Sequence, residues 1–493
     1  MLFTSTRNSA HKVTAAEAIL RGLAPDGGLY VPEEYPRFTL DQIAAMQALS
    51  YAELAARVIT PYLPGFTHEE VLGFTKAAYA PFRHADVAPL HRLDDHTHVL
   101  ELYHGPTCAF KDFALQMLPR LIPASVRKTG GKDTVAILVA TSGDTGKAAL
   151  EGFADVDGVK IGVFYPHGGV SEIQRLQMAT QTGKNVNVFA IEGNFDDAQT
   201  GVKNIFGDPV MAEALKAKGI VLSSANSINW GRLAPQIAYY FSAYVRLLRQ
   251  GIITLGQTVD FSVPTGNFGD ILAGWFAKKS GLPVGKLICA SNKNNILTDF
   301  LGSGIYDRRR DFHLTMSPSM DILISSNLER LLYLLTGDSA QVAAWMAELK
   351  ADGRYAITTE LLGKMQEEGF LAFCADEEET ARVICHTFDQ YDYALDTHTA
   401  VGLSALEQYR KSGSDAVSVV LSTASPFKFA EAMLGCLGQP IPKDGFTQLD
   451  TLEAYLAQKA PAPLADLRQK PVRFDHVISK EEMPKAVLDW LTR

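Results

Sequence analysis

The chain has 493 residues, 47% hydrophobic and 20% charged, with a formal net charge of -9 and a mean hydropathy of +0.01. That is room for two or three domains of an ordinary globular protein, and it excludes the basic footprint of a nucleic-acid binder. Five cysteines without a CxxC pair predict neither a disulfide framework nor a zinc site; with no apolar signal core in MLFTSTRNSAHKVTAAEAIL and no membrane-length run, the expected setting is cytoplasm, away from membranes.

In chain order, residues 1–95 carry helical stretches such as LDQIAAMQALSYAELAARVI and a turn at PDGGLYVP, predicting an N-terminal helical region packed on the core. His91, His96 and His98 beside Asp94 and Asp95 invite a metal reading, but HTHVLEL alternates like a strand, which favours a strand with a solvated turn. HGPTCAFKDF (104–113) then sets Lys111 among phenylalanines. A surface lysine with its stem along Phe110 or Phe113 is the ordinary explanation. The context argues otherwise: Gly105 and Pro106 punctuate the chain, and Thr107 can cap the helix predicted over FKDFALQMLPRL. That places Lys111 in the first turns, where the macrodipole disfavours a cation and a partly desolvated amine becomes nucleophilic. Such amines form Schiff bases, including the one with pyridoxal phosphate (PLP).

From there the pattern is strand, loop, helix, repeated. TVAILVA (134–140) leads through TSGDTG into KAALEGFA; KIGVFYP (160–166) into SEIQRLQMATQTG; NVNVFAIEG (185–193) into DDAQTGVKNIF. GIVLSSA (219–225) leads through NSINWGRL into PQIAYYFSAYVRLL, VDFSVPTGNFG (259–269) into DILAGWFAKK, and AVSVVLSTASP (416–426) into FKFAEAMLG. Apolar strands alternating with helices mean βα units and parallel sheets, so the fold class is α/β. Arg308–Arg309–Arg310 is read as an exposed loop face. The stretch from APAPLADLRQ onward is read as a peripheral tail containing one amphipathic helix, EEMPKAVLDW. With neither a Walker A sequence nor a GxGxxG, the P-loop and dinucleotide readings lose their main support.

Three junction loops stand together. PTGNFGD (264–270), TSGDTG (141–146) and NSINWGR (226–232) each put backbone N–H groups at a helix N-terminus on the carboxyl side of a strand, where anions bind in α/β folds. Each alone is most simply a helix cap. Two anion-ready loops, a guanidinium at Arg232 and a lysine in unusual surroundings make a joint signal.

HGPTCAFKDF, ATSGDTG, SSANSINWGR, VPTGNFGD, DTHTAVG and STASPFKF, in that order, with STR…EAILRGLAPDGGLYVP at the start, resemble the threonine synthase family over nearly the whole chain, Ser5 to about Phe429. The resemblance implies a fold-type-II PLP enzyme, similar to tryptophan synthase β, with parallel-sheet domains and an N-terminal helical region. It implies an N-terminal region over 1–95, a large PLP-binding domain over 96–126 and 215–460, a small α/β domain over 127–214 and a tail over 461–493. By the same resemblance Lys111 is the Schiff-base lysine and proton carrier, and the backbone of Gly266, Asn267, Phe268, Gly269 and Asp270 cradles the cofactor phosphate. Thr423 is the hydroxyl facing the pyridine nitrogen, and Ser142, Asp144 and Thr145 close on the substrate carboxylate and cofactor ring. Asn226, Ser227, Asn229 and Arg232 serve the substrate phosphate. Cys108, Asn8 and Thr397 stand where relatives commonly have leucine, glycine and proline; none removes a group the chemistry requires. His398 lies in a family motif without an assigned role.

The implied reaction turns O-phospho-L-homoserine and water into L-threonine and phosphate, with PLP as cofactor, no metal, and no nucleic-acid or membrane partner. Phosphate leaving Cγ needs an anion site apart from the one holding the cofactor, which explains why one glycine loop is insufficient. Two alternatives stay open: a phospho-lyase releasing 2-oxobutyrate from the same substrate, and a non-catalytic relative.

Overall fold

The computed structural model describes residues 1–141 and 143–492. Its larger sheet runs Phe370–Cys374, Val284–Ser291, Val259–Pro264, Ser418–Ser422, Thr97–Glu101, Leu90–Arg92, with every neighbouring pair parallel except the last. Val259–Pro264 and Ser418–Ser422 are buried at every position. Helices on both faces make a continuous apolar run the stable choice for such strands. Only Val259–Pro264 and Thr97–Glu101 lead into a glycine-containing loop; Val284–Ser291 and Phe370–Cys374 carry no such signal.

A second, all-parallel sheet has the order Val477–Ile478, Val186–Ile191, Val159–Pro166, Thr134–Ala140, Ile220–Ser223. It therefore draws strands from outside the expected 127–214 unit, at both edges. The 461–493 segment is not a peripheral tail: Val477 and Ile478 pair with Ala190 and Ile191, and helix Met483–Thr492 buries Met483, Val487 and Leu491. An edge strand left uncovered presents unpaired backbone groups, and the returning chain covers this one.

The N-terminal region is not wholly helical either. Phe3–Ser5, Asn8–Val13 and Tyr30–Pro32 form a three-stranded antiparallel sheet. Four helices follow the prediction more closely, and each starts at a Ser or Thr with a complete capping box: Thr14, Thr39, Ser50 and Thr67. Such caps contribute roughly 1 kcal/mol apiece.

At the centre lies helix Trp230–Arg249, buried from Trp230 through Leu247, as expected of a helix apolar on all sides. It packs on helices Tyr51–Ile59, Lys111–Leu115 and Gly269–Lys279, and Trp230 meets Phe3 and Phe276 edge to face. The predicted helix over FKDFALQMLPRL is split into Lys111–Leu115 and Leu118–Lys128, with Pro119 in the first turn of the second piece, where its missing N–H costs nothing. Helix Asp144–Phe153, from the second sheet, lies against the first piece. A Cβ on Gly152 would stand 1.9 Å from the Leu115 carbonyl oxygen, so only glycine permits that approach.

Candidate active site

Lys111 opens its short helix, and its side chain is buried rather than in water. Its ammonium lies 5.0 Å from the centre of the Phe110 ring, an attractive placement for a cation. Phe113 serves the core instead, packed edge-on against Phe82 and Tyr51. Burial is the main cause of a lowered Lys111 pKa; Asp144 opposes it, while the charges of Lys428 and Arg232 add to it. Thr107 does not cap the helix, which has Phe110 at its N-cap without a side-chain bond. Thr107 donates from N and Oγ1 to the buried Asp112 carboxylate, at 2.8 and 2.7 Å. The aspartate after the lysine thus locks the HGPT turn.

Asp144, in the first turn of its helix, is the acid that faces the lysine. Its Oδ2 lies 3.6 Å from Lys111 Nζ, and its Oδ1 accepts from Lys428 Nζ at 2.8 Å and from Gln174 Nε2 at 3.2 Å. Burial alone would raise the Asp144 pKa, but the ammonium groups of Lys428 and then Lys111 hold it well below the carboxylate range. Ser319 Oγ accepts from Lys111 Nζ at 3.2 Å. The Ser319 backbone N–H donates to His398 Nε2 at 3.1 Å, and Asp396 Oδ1 lies 2.9 Å from His398 Nδ1. That pairing leaves Nδ1 as the protonated nitrogen. Ser142 lies outside the described residues; Thr145 is half-buried in the first turn beside Asp144.

The glycine loop runs from the end of strand Val259–Pro264 into helix Gly269–Lys279. Phe268 takes φ 60° as N-cap residue, and among the described residues no backbone acceptor takes the N–H groups of Gly266, Asn267, Phe268, Gly269 or Asp270. Their carbonyls are occupied: Ser325 Oγ donates to Gly266 O at 2.7 Å, and Asn327 Nδ2 to Asn267 O at 2.8 Å. The Asp270 carboxyl points away from the loop and accepts from Tyr239 and Tyr240; burial pushes its pKa up to about 7. A loop pinned by its carbonyls with outward N–H groups at a helix N-terminus fits a phosphate, and the buried amine of Lys111 fits the carbonyl end of PLP.

The 226–232 loop divides by role. Asn229 is fully buried and spent on the fold: Oδ1 caps Gly231 N at 2.8 Å, and Nδ2 donates to Ile19 O and Ser224 O. It has no side-chain donor left for a substrate, which corrects the expectation for that residue. Ser227 Oγ reaches Ser326 Oγ at 3.4 Å, and Ser326 donates to Asn267 Oδ1 at 3.3 Å, so this loop and the glycine loop meet. Asn226 is half-buried beside them. Arg232 is buried with Nη1 on Ala225 O at 3.0 Å and Nε unpaired among the described residues. Burial lowers its pKa to about 10, opposed by Tyr239, and no carboxylate contributes. A buried guanidinium without a counter-ion is suited to an anionic ligand.

Thr423 is buried, and its carbonyl accepts from Phe110 N at 2.8 Å. An isolated bridge between Ala109 and Ala424 adds to this link, so the structure brings Thr423 to the lysine segment. Four participants carried no signal of their own in sequence: Ser319, the His398–Asp396 pair, Gln174 and Lys428. Of these, Lys428 inside STASPFKF and the His398–Asp396 pair inside DTHTAVG lay in stretches already conspicuous; Ser319 and Gln174 did not. The histidine cluster forms no metal site: Asp94 accepts from His96 N, Thr97 N and Thr97 Oγ1, and both His98 nitrogens are buried without partners among the described residues. No group of three or more ligating side chains occurs among those residues.

Three family models match the chain: "Threonine synthase N terminus" over residues 2–79, "Pyridoxal-phosphate dependent enzyme" over 85–424 and "Threonine synthase, C-terminal" over 399–487. A curated threonine synthase of Pseudomonas aeruginosa is 43% identical over 93% of each chain. The crystal structure of PLP-bound threonine synthase from Brucella melitensis superposes with a TM-score of 0.88 at 41% identity, covering 100% of this chain and 98% of that one. Threonine synthase from yeast superposes with a TM-score of 0.89 at 34% identity, covering 100% and 99%.

Proposed function

The chain belongs to the threonine synthase family of PLP-dependent lyases, and from that premise we propose that its substrate is O-phospho-L-homoserine, converted with water to L-threonine and phosphate. What supports the reading most is charge: Lys111 and Lys428 are buried around the site and share Asp144, while the buried Arg232 beside them has no carboxylate partner among the described residues. A buried guanidinium left without a counter-ion suits a substrate that carries phosphate.

When bound, PLP supplies the electron sink that lets protons leave carbon. Lys111 holds it, and the N–H groups of Gly266 to Asp270 take its phosphate. The neutral hydroxyl of Thr423 gives the pyridine nitrogen no charge to hold a proton. Lys111 Nζ, its basicity tuned by burial, takes the proton from Cα and then from Cβ of the substrate. Arg232, with hydroxyl and amide donors of Asn226 and Ser227, receives the phosphate as the Cγ–O bond breaks. A proton returns to Cγ, water adds at Cβ, and Lys111 returns a proton to Cα. Asp144 and Ser319 orient the amine throughout. Among the described residues no helix is long and apolar enough to cross a membrane, and the cysteines there are free; a cytoplasmic setting is part of the proposal.

The test is incubation with O-phospho-L-homoserine, measuring released phosphate and amino-acid product together. Equimolar threonine and phosphate are expected. Phosphate with 2-oxobutyrate in place of threonine identifies the phospho-lyase instead, and a colourless, inactive protein identifies a non-catalytic relative.

A further inference from the structure

Lys428 takes no part in the steps above, yet it is as closed to solvent as any charged side chain in the molecule, with 0% side-chain exposure. It sits in the turn Pro426–Phe429 that follows strand Ser418–Ser422. Its ammonium donates to Thr107 O at 2.9 Å, inside the HGPT turn, and to Asp144 Oδ1 at 2.8 Å. The other oxygen of Asp144 is the one that faces Lys111, at 3.6 Å. Two ammonium groups therefore divide a single carboxylate, with Ser319 Oγ 3.2 Å from Lys111 Nζ and 3.4 Å from Asp144 Oδ2. A lysine needed only to hold the Thr107 carbonyl has no use for a second buried charge, because desolvating an ion pair costs several kcal/mol per ion.

We propose that Lys428 is a positioning residue for Lys111: by claiming one oxygen of Asp144 it fixes where that carboxylate stands and how readily Lys111 gives up its proton. The proposal rests on the reading of Lys111 as the cofactor lysine and base. The geometry splits the labour across both sheets, since Asp144 comes from the second sheet's helix while Lys111 and Lys428 flank the larger sheet. The Asp144 charge favours the protonated form of Lys111, and the Lys428 charge opposes it directly and by drawing Asp144 away. Arg232 acts on Lys111 in the same sense as Lys428; His398 acts on Asp144, and Lys111 acts on Asp270.

The experiment uses the PLP-loaded enzyme without substrate and follows the cofactor's visible absorbance against pH. That absorbance reports the proton on the nitrogen joining Lys111 to PLP. Lys428→Met should move the midpoint up by about one pH unit or more, as expected for loss of a like charge that shares one carboxylate with Lys111. Lys428→Arg, which keeps the charge, should restore the midpoint, and Asp144→Asn should move it down. A residue that merely supports the Thr107 turn would lower the unfolding temperature and leave the midpoint in place, and that result overturns the proposal. If Lys428→Met does not fold, the decision falls to the other two: an Asp144→Asn midpoint equal to the wild type overturns it, and a lowered midpoint with Lys428→Arg unshifted sustains it. Borohydride reduction separates the two claims. A wild-type enzyme in which Lys111 remains unlabelled removes the underlying assignment and the proposal with it, whereas labelled Lys111 with an unmoved midpoint removes the role of Lys428 alone.

Discussion

The carbonyl oxygen of Thr423 accepts the backbone N–H of Phe110 at 2.8 Å, so the residue before the lysine is stitched to the end of strand Ser418–Ser422. Lys111 therefore cannot drift from the strand ends where the ligands of an α/β sheet gather. The purified protein is expected to be yellow, and borohydride should fix the cofactor on Lys111. Lys111→Ala leaves Asp144 its ion pair with Lys428, so the fold should survive. Turnover should vanish while PLP still binds weakly through the glycine loop; near-native activity of this variant would sink the mechanism.

Thr423→Asp places a carboxylate where the proposed function has a neutral hydroxyl facing the cofactor ring. A protonated ring nitrogen is a stronger electron sink, which stabilises charge at Cα at the expense of the chemistry at Cβ. Less threonine per substrate consumed and relatively more side product are expected. An unchanged product ratio, measured by amino-acid analysis, counts against Thr423 facing the ring.

Arg232 has no carboxylate partner among the described residues, so its removal breaks no ion pair. Charge-assisted hydrogen bonds contribute about 1.5–3 kcal/mol each. Arg232→Ala should lower kcat/KM for O-phosphohomoserine by roughly ten- to a hundredfold, at about 1.4 kcal/mol per decade. Binding of an amino acid without phosphate should hardly change. Equal losses for both ligands would take Arg232 out of the phosphate site.

Burial pushes the Asp270 pKa up to about 7, from about 3.9 for an aspartate in water. The folded state then binds more protons than the unfolded one between these values, so this residue's contribution is complete below about pH 4 and is lost as pH rises through 7. Asp270→Asn keeps the neutral form at every pH. Its unfolding free energy should converge on the wild type at acid pH and gain on it toward pH 8, by up to roughly 1.4 kcal/mol per unit crossed. Parallel pH profiles would show that Asp270 is ionised throughout.

Gly266 sits where a Cβ would come within 2.9 Å of Ser319 O and 3.3 Å of Met320 Cα. Both are backbone atoms, so Gly266→Ala must displace the Ser319 loop and the glycine loop, the proposed phosphate cradle, together, at about 1–3 kcal/mol. Tenfold or greater weakening of PLP binding, measured by titration of the apoenzyme, is expected. Gly73→Ala is the control: it lies inside a helix with nothing within 4 Å and should be neutral or stabilising. Equal PLP affinity for both variants would refute the cradle.

The alternation of apolar strands and helices, the glycine loops and the odd placement of Lys111 were all legible in the chain, because each is a local pattern. Six consecutive buried residues in VDFSVP announce a covered strand whatever lies beside it. A glycine pair at a strand end announces an anion loop in the same way. The boundaries between units were less legible, since which sheet claims Ile220–Ser223 or Val477–Ile478 depends on strand order, and strand order leaves no mark on a short apolar run. The division of labour around the lysine belongs to the tertiary structure alone. Ser319 meets Lys111 across 208 positions of sequence, and Lys428 meets Thr107 across 321. Nothing near Asn229 says that its amide is consumed by Ile19 and Ser224, whereas Arg232, three residues on, keeps its charge unanswered. Hydrophobic periodicity is written into neighbouring residues; the partner of a buried charge is decided only when distant strands lie side by side, where burial makes an unpaired charge costly and a shared one decisive.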